Sequence, residues 1–496
     1  MKKHHWHLLF ILLASLLLSL LYIPKNNIIQ GDKDIYRYVG LVIQKGGVPY
    51  RDVFDHKPPL IFFLNYAALL MGGDWGQWII DTSLALLATG LFFGLCKRHK
   101  LSFPWVLPLL FNLMLRDWFI CLGMGMTREY TTVLLLIFFC VLLGRHRLRY
   151  NILGFLAGLI FFMQQDQVFA LIPFFIYAFL PDKDVIPFWS RLLRTAVGFG
   201  AVLLPIILYF AWNNSLIYFW QDAFLFNMTW YTTTLKESFF DHLRKLKLIF
   251  DQGNYELPVL VSFTLGTCAL FFRTGNRRLI LAALAAALLS IAPEFLGGRD
   301  IVPNIHEMSF THYVLPLSAS LPILLFCVFA FSEEPVLQNW KAQAINGFFV
   351  CASLFYIAVQ HFVNRQIARG DDGNSLITVY LVKHKPGDYQ LFSFGNNNYL
   401  YINNELEILA PSKWVYQHFW YLYDTWDRDH LLLQSMAQDL LRHRTTYVIQ
   451  SALREYFRDA SAYDWWMAFL QEHYEKLPLP QEDGRTTLWK LKDKPE

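Results

Sequence analysis

The chain has 496 residues, 55% of them hydrophobic and 17% aromatic, with a formal net charge of only +4. So apolar a composition rules out an ordinary soluble domain, and so small a charge argues against nucleic acid as a partner. The six cysteines (Cys96, Cys121, Cys140, Cys268, Cys327 and Cys351) lie in or beside apolar runs, and none forms a CxxC pair, which speaks against zinc and a disulfide framework.

A helix needs roughly 20 mostly apolar residues to cross the hydrocarbon layer. Runs of that kind begin near Leu8, Trp78, Phe103, Tyr130, Leu153, Phe169, Ala196, Leu257, Leu279, Tyr313 and Asn346. They predict a mainly α, polytopic membrane protein with about eleven spans. The first run lacks a small-residue cleavage site before the polar loop and reads as a retained anchor. The basic loops "CKRHK", "RHRLR", "SRLLR" and "RTGNRR" fall on the side of the N-terminal "MKK". The positive-inside rule makes that side cytoplasmic and puts the C-terminus outside.

The first outer loop, residues 25–76, contains "GDKDIYRYVGLVIQKGGVPYRDVFDHKPPL". Ile35, Val39, Val42 and Ile43 fall at helical spacing, so residues 34–45 should form a helix lying on the membrane surface. "KGG" ends it, and Pro58 suits the first turn of a second helix, "PPLIFFLNYAALLMGG", too short to span. A second outer region, residues 213–254, is rich in aromatics and carries sequons at Asn213 and Asn227. From about residue 363 the composition turns polar. "YQLFSFGNNN", "TTYVIQS" and "TTLWKLKD" read as strands, and "DRDHLLLQSMAQDLLRHR" and "DWWMAFLQEHYEKL" as helices. The expected organisation is a transmembrane catalytic part, 1–362, and an outer α/β domain, 363–496. There is no internal repeat and no phosphate-binding glycine loop.

The chemistry concentrates at the outer lip of the bilayer. Asp32 and Asp34 follow the first span directly, where an ionised group is costly unless paired or used. Asp34 serves either as a helix cap or as a substrate contact. Lys57 precedes the second helix, where the dipole disfavours a cation unless an anion binds there too. Lys57 therefore either snorkels to the headgroups or, with His56 as an added donor, holds a lipid phosphate.

This loop resembles the first outer loop of GT-C membrane glycosyltransferases, most of all the branch of the protein O-mannosyltransferases and lipid A aminoarabinose transferases. The resemblance rests on an acidic residue four positions before a tyrosine, here Asp32 and Tyr36, and on the closing Lys57-Pro58-Pro59. It implies a GT-C fold and a polyprenyl-phosphate sugar donor. It further implies transfer with inversion to a glycan, lipid or protein hydroxyl, with Asp32 as base and Lys57 on the donor phosphate. In "GMTREY", Glu129 matches a second acidic position of the family, which implies a second active-site carboxylate, catalytic with Asp32; Arg128 is either on the phosphate or paired to Glu129. Gln165 and Asp166 lie where some relatives carry a lysine. Arg299, His312 and Tyr313 precede a late Leu-Pro step, as an aromatic or His-Tyr pair often does in the family. With Asp34 and Tyr36 these are expected substrate contacts.

Asp32-Lys33-Asp34 spells the D-x-D of metal-dependent nucleotide-sugar enzymes, but a monophosphate donor does not require it, so no metal and no cofactor is expected. The resulting expectation is an enzyme of the bacterial inner membrane acting on its outer face. A transporter or flippase of lipid-linked sugars would place its charges near the midplane of repeated halves. A glycan polymerase or ligase would carry paired arginines in its outer loop, and none precedes Lys236 in 213–254.

Overall fold

In a computed structural model, the protein is described over residues 2–24, 32–117, 124–144, 146–180, 186–231, 264–265, 276–296, 315–331, 359, 376–395, 399–415, 431–452, 454, 457, 460–479 and 486–493. In chain order the elements begin with α1 (Lys2–Ser19), α2 (Asp32–Gln44), α3 (Leu60–Leu70), α4 (Asp74–Arg98), α5 (Val106–Leu115), α6 (Thr127–Leu142) and α7 (Arg149–Met163). A 3₁₀ turn (Gln165–Leu171) leads into α8 (Ile172–Phe179), followed by α9 (Phe188–Trp212), α10 (Leu216–Trp220), α11 (Arg277–Leu296) and α12 (Leu317–Phe329). The remainder is α13 (Leu376–His384), β1 (Leu391–Phe394), α14 (Leu400–Glu405), α15 (Leu431–Arg442), β2 (Tyr447–Gln450), α16 (Ala460–His473), β3 (Tyr474–Lys476) and β4 (Thr487–Leu491). The expected runs beginning near Leu257 and Asn346 lie outside the described residues.

Two compact units divide the chain. The first comprises Met1–Asn27, Gln77–Leu208 and Leu235–Gly370. At 25 residues each, α4 and α9 are long and apolar enough to cross a membrane. Trp6–Tyr22, Val106–Leu115, Arg149–Met163, Gln165–Phe179 and Leu317–Phe329 are apolar but shorter. The run expected from Phe103 narrows to the ten residues of α5 because Arg116 and Asp117 close it. Nearly every residue of α6 is buried, in a core shared with Phe92, Phe111, Phe174 and Phe326. On α9, Leu193, Val197, Leu204 and Leu208 are exposed at helical spacing, an apolar stripe suited to lipid. Helices α7 and α9 meet at glycines: a Cβ at Gly154 or Gly198 would stand 1.9 Å from a carbonyl oxygen of the other helix. Only hydrogen allows that approach, as is common between membrane helices.

The second unit comprises Ile28–Gly76, Tyr209–Thr234 and Asp371–Glu496. The expected surface helix appears as α2, burying Ile35, Tyr36, Val39 and Val42 on one side. It crosses α3 at Gly40, where a Cβ would come within 2.9 Å of the Tyr66 nitrogen. The α/β part has a four-stranded sheet in the order β1-β2-β4-β3, with β1 and β2 parallel and the other pairs antiparallel. Ile377, Leu381, Leu391, Ile402, Ile449 and Leu488 form its core. One local expectation is corrected: "DWWMAFLQEHYEKL" is not helical to its end. The helix stops at His473, and Tyr474–Lys476 pairs with β4, which exchanges further helical hydrogen bonds for a ladder and buries Tyr474.

Three hydrogen bonds join α14 and the segment that follows it to the first outer loop within this unit. Asn404 donates to the Asp34 carbonyl at 2.8 Å, the Ala410 N–H to the Tyr38 hydroxyl at 2.6 Å, and the Phe54 N–H to the Lys413 carbonyl at 2.8 Å. Residues 216–231, expected as part of a loop, form α10 and two π turns, Gln221–Leu225 and Asn227–Tyr231. Such widened turns occur often at functional sites.

Candidate active site

The motif of the first loop folds as a tight turn braced from several sides. Tyr50, fully buried, adopts φ +69°, a region that non-glycine residues rarely occupy. Its N–H donates to the Val53 carbonyl at 2.8 Å, and its hydroxyl donates to the Lys57 carbonyl at 2.7 Å. The Lys57 N–H donates to Asp55 Oδ1 at 2.8 Å, a carboxylate turn of the kind Asp forms ahead of its own chain. Asn227, on the second π turn, donates from Nδ2 to the His56 carbonyl at 2.7 Å and meets His56 Nδ1 through Oδ1 at 2.8 Å. Pro58 and Pro59 then lead into α3.

Asp55 is 2% exposed, and its Oδ2 has no partner among the described residues. Burial pushes its carboxyl up to about 7, against the pull of the Lys57 N–H and ammonium and with the added repulsion of Asp32. Asp32 opens α2, and the Tyr36 hydroxyl one turn on donates to its Oδ2 at 3.2 Å. The motif thus gathers a carboxylate with a tyrosine donor, a lysine on a fixed turn, and a buried carboxyl that senses both charges.

The first unit holds a separate polar cluster. Arg116 and Glu129, both buried, form an ion pair, and the other Glu129 oxygen accepts the Gly125 N–H at 2.8 Å. Gln77 donates to Asp81 Oδ1 at 2.9 Å, and the Tyr130 hydroxyl bonds the same oxygen. The expected pairing of Arg128 with Glu129 does not form. Arg128 stands 3.7 Å from Asp166, while Thr127 donates to Gln164 Oε1 at 2.5 Å. The physical reason is helical geometry: adjacent residues on α6 point in different directions, so Arg128 and Glu129 find different neighbours. Gln165 starts the 3₁₀ turn that presents Asp166. Arg299, His312 and Tyr313 lie outside the described residues.

Sequence reasoning missed Asp55, Asn227, Arg116 and Lys413. Asp55 was legible as an acid two residues before Lys57, and Arg116 as a charge beside an apolar run. Asn227 stood out only as a sequon, yet both of its Nδ2 hydrogens are engaged, by the carbonyls of His56 and Ala223.

No family model and no curated protein matches the chain. Solved structures do. ArnT from Cupriavidus metallidurans in the apo state gives a TM-score of 0.61 at 13% identity, covering 99% of this chain and 98% of that one. ArnT from the same organism bound to undecaprenyl phosphate gives 0.51 at 14% identity, covering 98% of each chain. The chain has the fold of ArnT. This is the GT-C architecture that the first-loop motif resembles.

Proposed function

We propose that the protein is a membrane glycosyltransferase that moves a sugar from a polyprenyl-phosphate carrier to a hydroxyl on the outer face of the bacterial inner membrane. The observation that carries this reading is the braced Asp32–Asp55–Lys57 motif in a fold whose solved relative binds undecaprenyl phosphate. The acceptor oxygen attacks the anomeric carbon from the face opposite the phosphate, so configuration inverts. As the new C–O bond forms, the bond from the anomeric carbon to the phosphate oxygen breaks. Its electron pair stays on the phosphate, and the hydroxyl proton passes to the Asp32 carboxylate. Lys57 offsets the charge growing on the leaving phosphate. A glycan, a lipid or a protein serves as acceptor.

The test is turnover of a polyprenyl-phosphate sugar and binding of undecaprenyl phosphate by the full chain in nanodiscs. Asp32→Asn should remain folded and lose about 10²–10⁴-fold in turnover. Lys57→Gln should lose about ten- to hundredfold in undecaprenyl phosphate affinity, the worth of one charge-assisted bond. Near-normal behaviour of both variants would overturn the reading. Turnover should also survive exhaustive chelation, because the donor is a monophosphate whose charge Lys57 offsets. Activity lost to EDTA and restored by Mg²⁺ would turn Asp32 and Asp34 into a metal site.

A further inference from the structure

The hydrogen bonds around Asn227 fix more than a loop. Its Nδ2 lies 2.7 Å from the His56 carbonyl oxygen and 2.8 Å from the Ala223 carbonyl oxygen. Two carbonyl acceptors can only be faced by the NH₂ end of a carboxamide, so the orientation of the amide follows from the main chain. Oδ1 is then the atom 2.8 Å from His56 Nδ1. An amide oxygen only accepts, so Nδ1 must carry the proton. In a neutral imidazole the lone pair then lies on Nε2. The ring is 2% exposed and packs against Phe226 at 5.9 Å between centroids, so it has little freedom to turn over.

We propose that Asn227 is a positioning residue that holds His56 as the Nδ1–H tautomer, so that Nε2 meets the reactants as a hydrogen-bond acceptor for a sugar hydroxyl. This deepens the glycosyltransferase reading and rests on it. It also separates the two neighbours of the motif turn. Lys57 has donors only and suits the phosphate. His56, presenting a lone pair, suits a hydroxyl and not a fully ionised phosphate. No proton moves in this contact: the hydroxyl hydrogen stays on its oxygen and points at Nε2. The second π turn is what brings Asn227 to the motif, which gives that irregular segment a task.

The experiment uses the full chain in nanodiscs with ¹⁵N-labelled histidine, His56→Gln identifying the His56 signals by their loss. In the wild type at pH 8, His56 should show a protonated Nδ1 and an unprotonated Nε2. Asn227→Leu should release the ring to the opposite tautomer or a mixture, while Asn227→Asp, which keeps an acceptor for Nδ1–H, should retain the original one. In parallel, undecaprenyl phosphate affinity should fall at least tenfold further in Lys57→Gln than in Asn227→Leu, whereas turnover of a polyprenyl-phosphate sugar should fall about tenfold in Asn227→Leu. A wild-type His56 protonated at Nε2 alone, or a tautomer indifferent to Asn227→Leu, would overturn the proposal. So would an affinity loss in Asn227→Leu as large as that in Lys57→Gln, since the ring would then be a phosphate ligand. Should Asn227→Leu fail to fold, the wild-type tautomer and the Asn227→Asp comparison still decide. If Lys57→Gln leaves affinity intact while the tautomer is as stated, the phosphate reading fails and the Asn227–His56 geometry stands.

Discussion

Glu129 and Asp55 are both buried carboxyl groups, exposed by only 1% and 2%, and they live in opposite circumstances. Glu129 has an arginine on one oxygen and a main-chain N–H on the other. Asp55 has a main-chain N–H on one oxygen, and its other oxygen has no partner among the described residues. A fully engaged carboxyl group in the interior ties elements together. A half-engaged one stays close to titration, because burial opposes its charge while Lys57 favours it. The first kind secures the fold of its unit, and the second keeps chemical freedom at the motif.

The strongest way to break this contrast is to remove one member of the first pair. Arg116→Met should destabilise the protein by about 3–5 kcal/mol, because it leaves a buried carboxylate uncompensated. The double variant Arg116→Met/Glu129→Leu should recover most of that loss, since an apolar pair of similar volume carries no such penalty. Thermal unfolding in matched detergent measures both. A double variant no better than the single one would mean that Glu129 serves something other than its pair, and would return it to the group of reacting carboxylates.

How far the sequence foretells this contrast follows from range. Helices α2 and α3 and three of the four strands were legible, because local periodicity, the "KGG" stop and the double proline act within a few residues. Asp32, Tyr36 and Lys57 were legible for the same reason: they form a motif of fixed spacing. Arg116 with Glu129 was not, because the two lie on different helices and nothing in a linear pattern says which carboxylate an arginine will meet. Asn227 was harder still, 171 residues from His56. Strand β3 escaped because a three-residue edge is decided by its partner β4 and not by its own composition.

Asp55 offers the next test, now through pH. Its folded-state value is raised to about 7, above that of an unfolded aspartate near 4. The folded protein therefore holds the proton more tightly, and this contribution to stability is complete below about pH 4 and is lost as pH rises to about 7. Asp55→Asn mimics the protonated form and keeps an acceptor for the Lys57 N–H. It should raise stability by about 1–3 kcal/mol at pH 8 and leave it nearly unchanged at pH 4. Equal shifts at both pH values would show that packing and not charge governs the site, and would remove the distinction from Glu129.

Asp222 falls between the two cases and predicts the smallest effect. It is 8% exposed, its Oδ2 has no partner among the described residues, and burial pushes its carboxyl up to about 7 while Lys413 pulls it down. Lys413 is itself lowered by burial and held up by Asp222 and Asp52, with its ammonium 4.4 Å from the Trp414 ring centroid and 5.7 Å from that of Tyr218. The lysine thus has two sources of stabilisation, charge and rings, and pH separates them. Near pH 4 to 5 Asp222 is largely protonated and attracts Lys413 little, whereas at pH 8 it is ionised and needs the lysine. Lys413→Met should therefore cost about 1 kcal/mol more at pH 8 than at pH 5, the order of a partly screened pair. The ring contacts, worth about 0.5–2 kcal/mol, should be lost equally at both pH values. Adding Asp222→Asn should abolish the difference between the two pH values, because it removes the charge that titrates. If Lys413→Met gives the same shift at pH 5 and pH 8, Asp222 does not feel the lysine and is governed by burial alone.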